Sequence, residues 1–446
     1  NEILEDEFFE STILSLSIYD LTLNKSLYEL NQRLLLRPAS NMKIITSIAA
    51  LEYLGVEYNF NTSVYHTGII LDSVCYGDLV VVGGCDPDFS TEDLDTLVLE
   101  VKNFGINEIR GNIYGDVSIM DSLFWGNGWM WDDDPSTNFP YMTPLLINDA
   151  AVEIAYEPGL IGNPIRYSII PESDYFNVTN NTITTKEDTS DLTITRNWIE
   201  RGNEILLEGD LSYKVKPDTT EINIVRPEYY FLYLLKDKLE KSSIEVLGRL
   251  DTLTLPQFSN HIYSKMRPFG NIIDNLNKES DNLSSEMVLR ALSLAYFDEP
   301  ASAEKGIRMI DSLINNTSLE SSKYSIVDGS GVSHYNLVST ELIIELLKYT
   351  YFQSPENFEV LNESFPVAGI DGTLENRMRR GRAFNNVRAK TGTLSGVSNL
   401  SGYLHSANNH NLAFSIFVQN YSGSSRTARW YQDRICKFLS ELIISE

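Results

Sequence analysis

The chain contains no uninterrupted apolar run of about 18 residues, so no segment is long enough to cross a membrane as a helix. Cysteine is scarce. Cys75, Cys85 and Cys436 are too few and too scattered for a disulfide framework or a metal cluster; Cys75 and Cys85 could pair across a hairpin, but the odd count weighs against it. The five histidines, His66, His261, His334, His405 and His410, show no H-x-x-x-H or similar ligand spacing, which removes the usual zinc signatures. Basic residues are also short: 35 Lys and Arg against 62 Asp and Glu give a formal charge of -27, which excludes a nucleic-acid partner, since that needs a basic footprint. There is no repeat of fixed period, no low-complexity tract and no G-x-S-x-G nucleophile elbow. The sequence opens at Asn1 rather than Met, which suggests a leader removed by a signal peptidase or in preparing the protein.

What is present is enough for a globular fold. With 42% hydrophobic and 22% charged residues over 446 positions, the chain exceeds one ordinary core, and two or three domains are expected. Residues 12–20 (TILSLSIYD) alternate as a half-buried strand, NKS turns, and LYELN returns as its hairpin partner. Near the other end SNLSGYLHS and LAFSIFVQN read as an antiparallel pair, followed by a closing helix over 426–444. Strands from both termini therefore fit one sheet. The middle, with GDLVVVGG, AVEIAY, RYSII, NTITTKE, LTITRN and EILLEGDLS, reads as a β-rich insert. Residues 92–146 differ again: a helical TEDLDTLVLEVKNFG and an aromatic, acidic loop FWGNGWMWDDDPSTNFPY.

One stretch near the start raises a chemical question. In RPASNMKIITSIAALEYLG (37–55), Ser40 suits a helix N-cap, and Met42, Ile44, Ile45, Ile48, Ala49 and Leu51 make a helix that is packed inside a domain. Lys43 lies one turn from Ser40 on the same side, where it either snorkels to water or is held beside the serine as a base of lowered pKa. A serine hydroxyl needs such a base to become a nucleophile, and lysine serves where it is desolvated or faces another cation. S-x-x-K, S-D-N and K-T-G form the set shared by penicillin-binding proteins and class A β-lactamases. Here they occur in that order as Ser40-Asn41-Met42-Lys43, Ser280-Asp281-Asn282 and Lys390-Thr391-Gly392. Each alone is weak. A second S-x-x-K, Ser302 to Lys305, reads as a helix cap with a solvated lysine, and a lone Ser-Asp-Asn is normally a cap or turn. K-T-G enters a strand, so Lys390, Thr391 and Thr393 can line one edge facing the serine helix. The specificity lies in the conjunction.

With PASNMK, SDNLSSEMVL, VDGSGVSHYNLVS, AGIDGTLENRM, AKTGTLSGVSNLSGY and the GW before the acidic run, the chain resembles the penicillin-binding protein 4 type D-alanyl-D-alanine carboxypeptidases, low-molecular-mass class C, peptidase family S13. Class A β-lactamases are less similar, because residues 44–279 separate the first two motifs. The resemblance implies an α/β (α+β) fold: a split αβα transpeptidase-like catalytic domain over 1–60 and 262–446, a β-rich inserted domain over 61–88 and 147–261, and a small α/β insertion over 89–146. It implies that Ser40 attacks a D-Ala-D-Ala peptide bond and carries the acyl group while Lys43, kept partly deprotonated by Lys390 and by burial, takes its proton. Ser280 relays that proton to the leaving D-alanine, and Asn282 holds Lys43 and the substrate amide. Lys390 and Thr391 bind the terminal carboxylate, with Gly392 and Thr393 beside them, and the N–H groups of Ser40 and Thr393 form the oxyanion hole.

No cofactor or metal is implied. The partners are peptidoglycan stem peptides, with β-lactams as covalent inhibitors, and the location is extracytoplasmic, as in a periplasm. Two positions depart from the pattern: Cys85 replaces a glycine in GGCDPDF, and His334 stands where the family usually has arginine. The run Asp132 to Asp134 either recognises an amino-bearing stem-peptide side chain by charge or is a solvated loop. The alternatives to a carboxypeptidase are a DD-endopeptidase using the same residues, a wall-binding scaffold with a dead site, and a β-lactamase.

Overall fold

The computed structural model describes residues 5–445; Asn1, on which the expectation of a removed leader turns, lies outside them. The chain divides into two compact units, one formed by Asn1–Asn59, Gly126–Trp129 and Pro268–Glu446, the other by Phe60–Trp125 and Met130–Arg267.

The first unit is built on a five-stranded antiparallel sheet in the order Arg388–Leu394, Val397–His405, Asn411–Gln419, Ile13–Asp20, Lys25–Leu30. The two ends of the chain therefore meet in mid-sheet, with Leu14, Leu16 and Ile18 opposite Val418, Ile416 and Phe414. Strand alternation sends these apolar residues to one face, where they pack with Ile435 and Leu439 of the closing helix Arg426–Glu441. The other face carries small polar residues. Ser15 Oγ lies 2.8 Å from Thr340 Oγ1 at the start of helix Thr340–Gln353, and Ser401 Oγ donates to Asn41 Oδ1 at 2.6 Å. Small side chains there let helices approach the sheet closely, and the αβα layering follows.

The second unit contains the expected short strands in four small sheets. It also contains helix Pro227–Lys241, which the strand-rich reading of this region did not anticipate. Its Leu232, Leu234, Leu235 and Leu239 join Val64, Leu97, Ile109, Leu145 and Leu207 in a single apolar cluster. Cys85 has φ +58°, a left-handed conformation that favours glycine, which gives a physical reason for the glycine expected there. Cys75, Cys85 and Cys436 are all buried thiols. Among the described residues no helix is long and apolar enough to cross a membrane.

Candidate active site

Ser40 does not cap its helix. It sits inside a single 3-10 turn, Ala39–Asn41, that runs into helix Met42–Tyr53, and no side chain caps that helix at Asn41. The hydroxyl is engaged by Lys43 instead, whose Nζ lies 3.1 Å from Ser40 Oγ. The helix is buried almost all round, so Lys43 has no path to water: it is fully buried, while Ser40 is half-exposed. Lys43 Nζ has two further partners, Asn282 Oδ1 at 2.6 Å and the Ser330 carbonyl at 2.9 Å.

Those contacts decide what the amine can do. As an ammonium, Nζ donates to all three oxygens. As a neutral amine it keeps two hydrogens and one lone pair; the amide and carbonyl oxygens can only accept, so they take both hydrogens, and the lone pair is left for the Ser40 O–H. Burial pushes Lys43 down to about 8, against the opposing pull of Asp281, Asp328 and Glu286. Lys390, equally buried, is held well below its ordinary value by desolvation and then by the charge of Lys43, with Glu279 opposing. Two ammonium groups facing each other out of water favour the loss of one proton.

The second motif is divided by its geometry. Ser280 ends a π-helical turn over Asn275–Glu279 in the left-handed conformation, φ +65°. Asp281 then caps helix Asn282–Tyr296 by accepting from Ser284 N, which points Asn282 at Lys43. The bonds of the two lysine amines run elsewhere: Lys43 Nζ to Ser40, Asn282 and the Ser330 carbonyl, and Lys390 Nζ to the Thr391 carbonyl at 3.4 Å.

The third motif lies on the sheet's edge strand, and strand alternation splits it. Lys390 and Gly392 point to the buried side, whereas Thr391 donates to Thr373 Oγ1 at 2.9 Å and Thr393 accepts from Arg429 Nη2 at 3.4 Å. At Gly392 an added Cβ would lie 2.9 Å from the Pro38 carbonyl oxygen and 3.1 Å from Ala39 Cβ, so the strand runs directly against the serine turn. Two asparagines fasten that turn to the sheet. Asn41 Nδ2 donates to the Lys390 carbonyl at 3.0 Å, and Asn399 Nδ2 donates to the carbonyls of Arg37 and Pro38 at 2.9 and 2.8 Å.

Sequence reasoning missed Asn41, Asn399 and Ser330 as individual residues. Asparagine in a strand was the available signal for Asn399; nothing local marks a backbone carbonyl. His334 Nδ1 lies 3.2 Å from Arg37 Nη1, so the position expected to hold arginine pairs with one here. In the acidic run, Asp134 is bound by Arg196 and Tyr141, and Asp133 accepts from Met130 N at 2.7 Å. The charge of Asp134 is thus met by Arg196 at the end of strand Asp191–Arg196, whereas Asp132 is exposed.

Helices on both faces of an antiparallel sheet, with a serine and two buried lysines beside its edge strand, define a serine peptidase of the transpeptidase and β-lactamase-like class. Comparisons narrow this. A sequence model of the D-Ala-D-Ala carboxypeptidase 3 (S13) family matches residues 1–442. A D-alanyl-D-alanine carboxypeptidase from an Actinomadura species is 28% identical over 460 residues, covering 98% of this chain and 83% of that protein. The D-alanyl-D-alanine carboxypeptidase DacB of Haemophilus influenzae is 27% identical over 409 residues, covering 90% and 84%. The crystal structure of penicillin binding protein 4 from H. influenzae superposes with a TM-score of 0.86 at 24% identity over 97% of both chains. A predatory peptidoglycan endopeptidase from Bdellovibrio bacteriovorus shares the fold at a TM-score of 0.53 and 15% identity, covering 96% of this chain and 92% of that one. The chain belongs to the D-Ala-D-Ala carboxypeptidase (S13) family.

Proposed function

We propose that this protein is a serine D-alanyl-D-alanine carboxypeptidase that acts on peptidoglycan stem peptides through an acyl-enzyme on Ser40 and is blocked covalently by β-lactams. The observation that carries this reading is the contact set of Lys43: two acceptors that claim its hydrogens and one hydroxyl, Ser40, left for its lone pair. Ser40 Oγ attacks the carbonyl of the penultimate D-alanine as Lys43 removes its proton, and the N–H groups of Ser40 and Thr393 receive the oxyanion. Ser280 passes a proton to the departing D-alanine, Asn282 orients Lys43, and Lys390 with Thr391, Gly392 and Thr393 binds the terminal carboxylate. Water then frees the shortened peptide and restores Ser40. A stem-peptide substrate places the enzyme outside the cytoplasm, in a periplasm or its equivalent. In the same reading, residues 61–88 with 147–261, and 89–146 within them, are insertions in a catalytic body of 1–60 and 262–446.

The test is intact-mass measurement after brief exposure to benzylpenicillin, with Ser40→Ala alongside. One stable penicilloyl adduct, absent from the variant, supports the reading; release of D-alanine from a D-Ala-D-Ala peptide, and its absence in Ser40→Ala, completes it. Neither adduct nor penicillin hydrolysis would leave a scaffold, and rapid hydrolysis without an adduct would leave a β-lactamase. Crosslinked muropeptides separate the carboxypeptidase from an endopeptidase with the same residues.

A further inference from the structure

Lys43 can direct its lone pair at Ser40 only while a backbone carbonyl stays on it, and a carbonyl has no side chain to fix it. The Ser330 carbonyl belongs to the turn Asp328–Ser333, which lies against the serine turn: at Gly331, φ +86°, an added Cβ would stand 1.9 Å from the Ala39 carbonyl oxygen. What holds this turn is a pair of buried carboxylates. Glu286, one turn along the helix that starts at Asn282, is 1% exposed and accepts from Gly329 N and Ser330 N, both at 2.9 Å, on one oxygen. Its other oxygen takes Arg290 Nη1 at 2.5 Å. Asp328, also 1% exposed, accepts from Gly331 N and Ser333 N at 2.8 Å, from Asn336 Nδ2 at 2.7 Å and from Trp129 Nε1 at 3.2 Å. Thr46 and Ser285 hydroxyls close the arrangement by donating to the Gly329 carbonyl at 2.8 and 2.6 Å.

This is more polar machinery than a turn needs. Two carboxylates out of water are costly unless every lone pair has a donor, and here the donors are the backbone N–H groups on either side of the one carbonyl that meets Lys43. We propose that Glu286 and Asp328 are positioning residues that hold the Ser330 carbonyl on Lys43 and thereby aim the lone pair of the amine at Ser40. Neither touches substrate. Both act through Ser330, and their charge reaches Lys43 as well: the ionisable groups around the amine are Asp281 at the helix cap, Glu286 with its partner Arg290, Asp328, and Lys390 on the edge strand, which Glu279 in turn influences.

The proposal rests on the acyl-serine reading, and one experiment distinguishes its failure from failure of that reading: the rate of acylation by benzylpenicillin against pH, for the wild-type protein, Glu286→Asp, Glu286→Gln and Asp328→Asn. Glu286→Asp keeps the charge but draws the carboxylate back by one methylene, so its acylation constant falls by about ten-fold or more, as for a reacting group displaced by a fraction of an ångström, while the acid limb stays in place. Glu286→Gln and Asp328→Asn remove a negative charge near Lys43, so the protonated amine is less favoured and the acid limb also moves to lower pH. A purely structural role would lower stability without moving the limb. If the wild-type protein takes no penicillin, the acyl-serine reading has failed. If it is acylated and the folded variants match its rate and pH profile, the positioning proposal is overturned; failure of all three variants to fold would assign the pair to structure alone and overturn it too.

Discussion

Lys43 must be buried to lose its proton and must still be satisfied in every hydrogen bond it offers, and its three partners meet both demands. Because burial brings its value to about 8, below the ordinary 10.5, folding releases a proton in that interval. The strain of burying the ammonium is therefore fully present below about pH 8 and fades as pH rises towards 10.5. A lysine base is competent only when neutral, so the proposed role of Lys43 predicts an acylation rate that rises with pH through a midpoint of about 8 and then levels. A rate that stays flat across about pH 6–9 would remove Lys43 from the role of base. Lys43→Met lowers acylation by about 10²–10⁴-fold, the usual contribution of a positioned base. Gly392→Ala tests the packing rather than the proton. The new methyl pushes the edge strand off Pro38 and Ala39, so acylation falls by about ten-fold and the overlap with backbone costs about 1–3 kcal/mol, read as a lower thermal unfolding midpoint.

At the scale of elements, two S-x-x-K sequences have opposite fates, and the reason lies in the helix each serine precedes. Ser302 caps helix Ala303–Asn315 by accepting from Lys305 N at 3.2 Å, and Lys305 Nζ binds the exposed carbonyls of Asp298 and Pro300. The helix it starts is strongly one-sided, so its lysine has water to reach; the Met42–Tyr53 helix is buried almost all round, so Lys43 has none. That difference is visible in the residue pattern, which is why the Ser302 motif could be set aside and the central strands, the closing helix and the elements that carry Ser40, Asn282 and Lys390 were legible. The cap at Ser40 was misjudged because propensity describes an isolated helix end, whereas here a lysine claims the hydroxyl. Glu286, Asp328 and the Ser330 carbonyl were not legible, since their roles depend on a turn meeting a helix far away in sequence. Helix Pro227–Lys241 was missed although Pro227 stands at its first position, a standard start signal.

The two caps give a paired prediction. Ser302→Ala and Asp281→Ala each cost about 1 kcal/mol of stability, read by thermal unfolding. Only Asp281→Ala changes acylation, because it frees the end of the helix that presents Asn282 and removes a charge that acts on Lys43, moving the acid limb to lower pH. Equal effects of the two on acylation would detach the helix start from the chemistry.

At the scale of the whole molecule, the first unit is discontinuous in sequence and continuous in space. Ser40 and Lys43 precede the segments of the second unit and Asn282 and Lys390 follow them, and they are brought together by a sheet in which Ile13–Asp20 pairs along its full length with Asn411–Gln419. Covalent continuity through the second unit is then needed for assembly and not for the finished site. Residues 186–190, between strands Val178–Thr185 and Asp191–Arg196, are all exposed and suit a single engineered protease site. After cleavage there, the N-terminal fragment holds the nucleophile and its base, and the C-terminal fragment holds the amide and the second lysine. Neither fragment can be acylated by the same chemistry alone, so penicilloyl formation on Ser40 reports that the two remain joined, by this sheet and by pairings within the second unit such as Val178–Thr185 with Ile205–Ser212. The nicked protein should elute as one species, take up penicillin within about two-fold of the intact rate, and separate only in denaturant. Loss of acylation on nicking, with the far-ultraviolet circular dichroism unchanged, would mean that the sheet does not hold the catalytic halves in register without the intact chain.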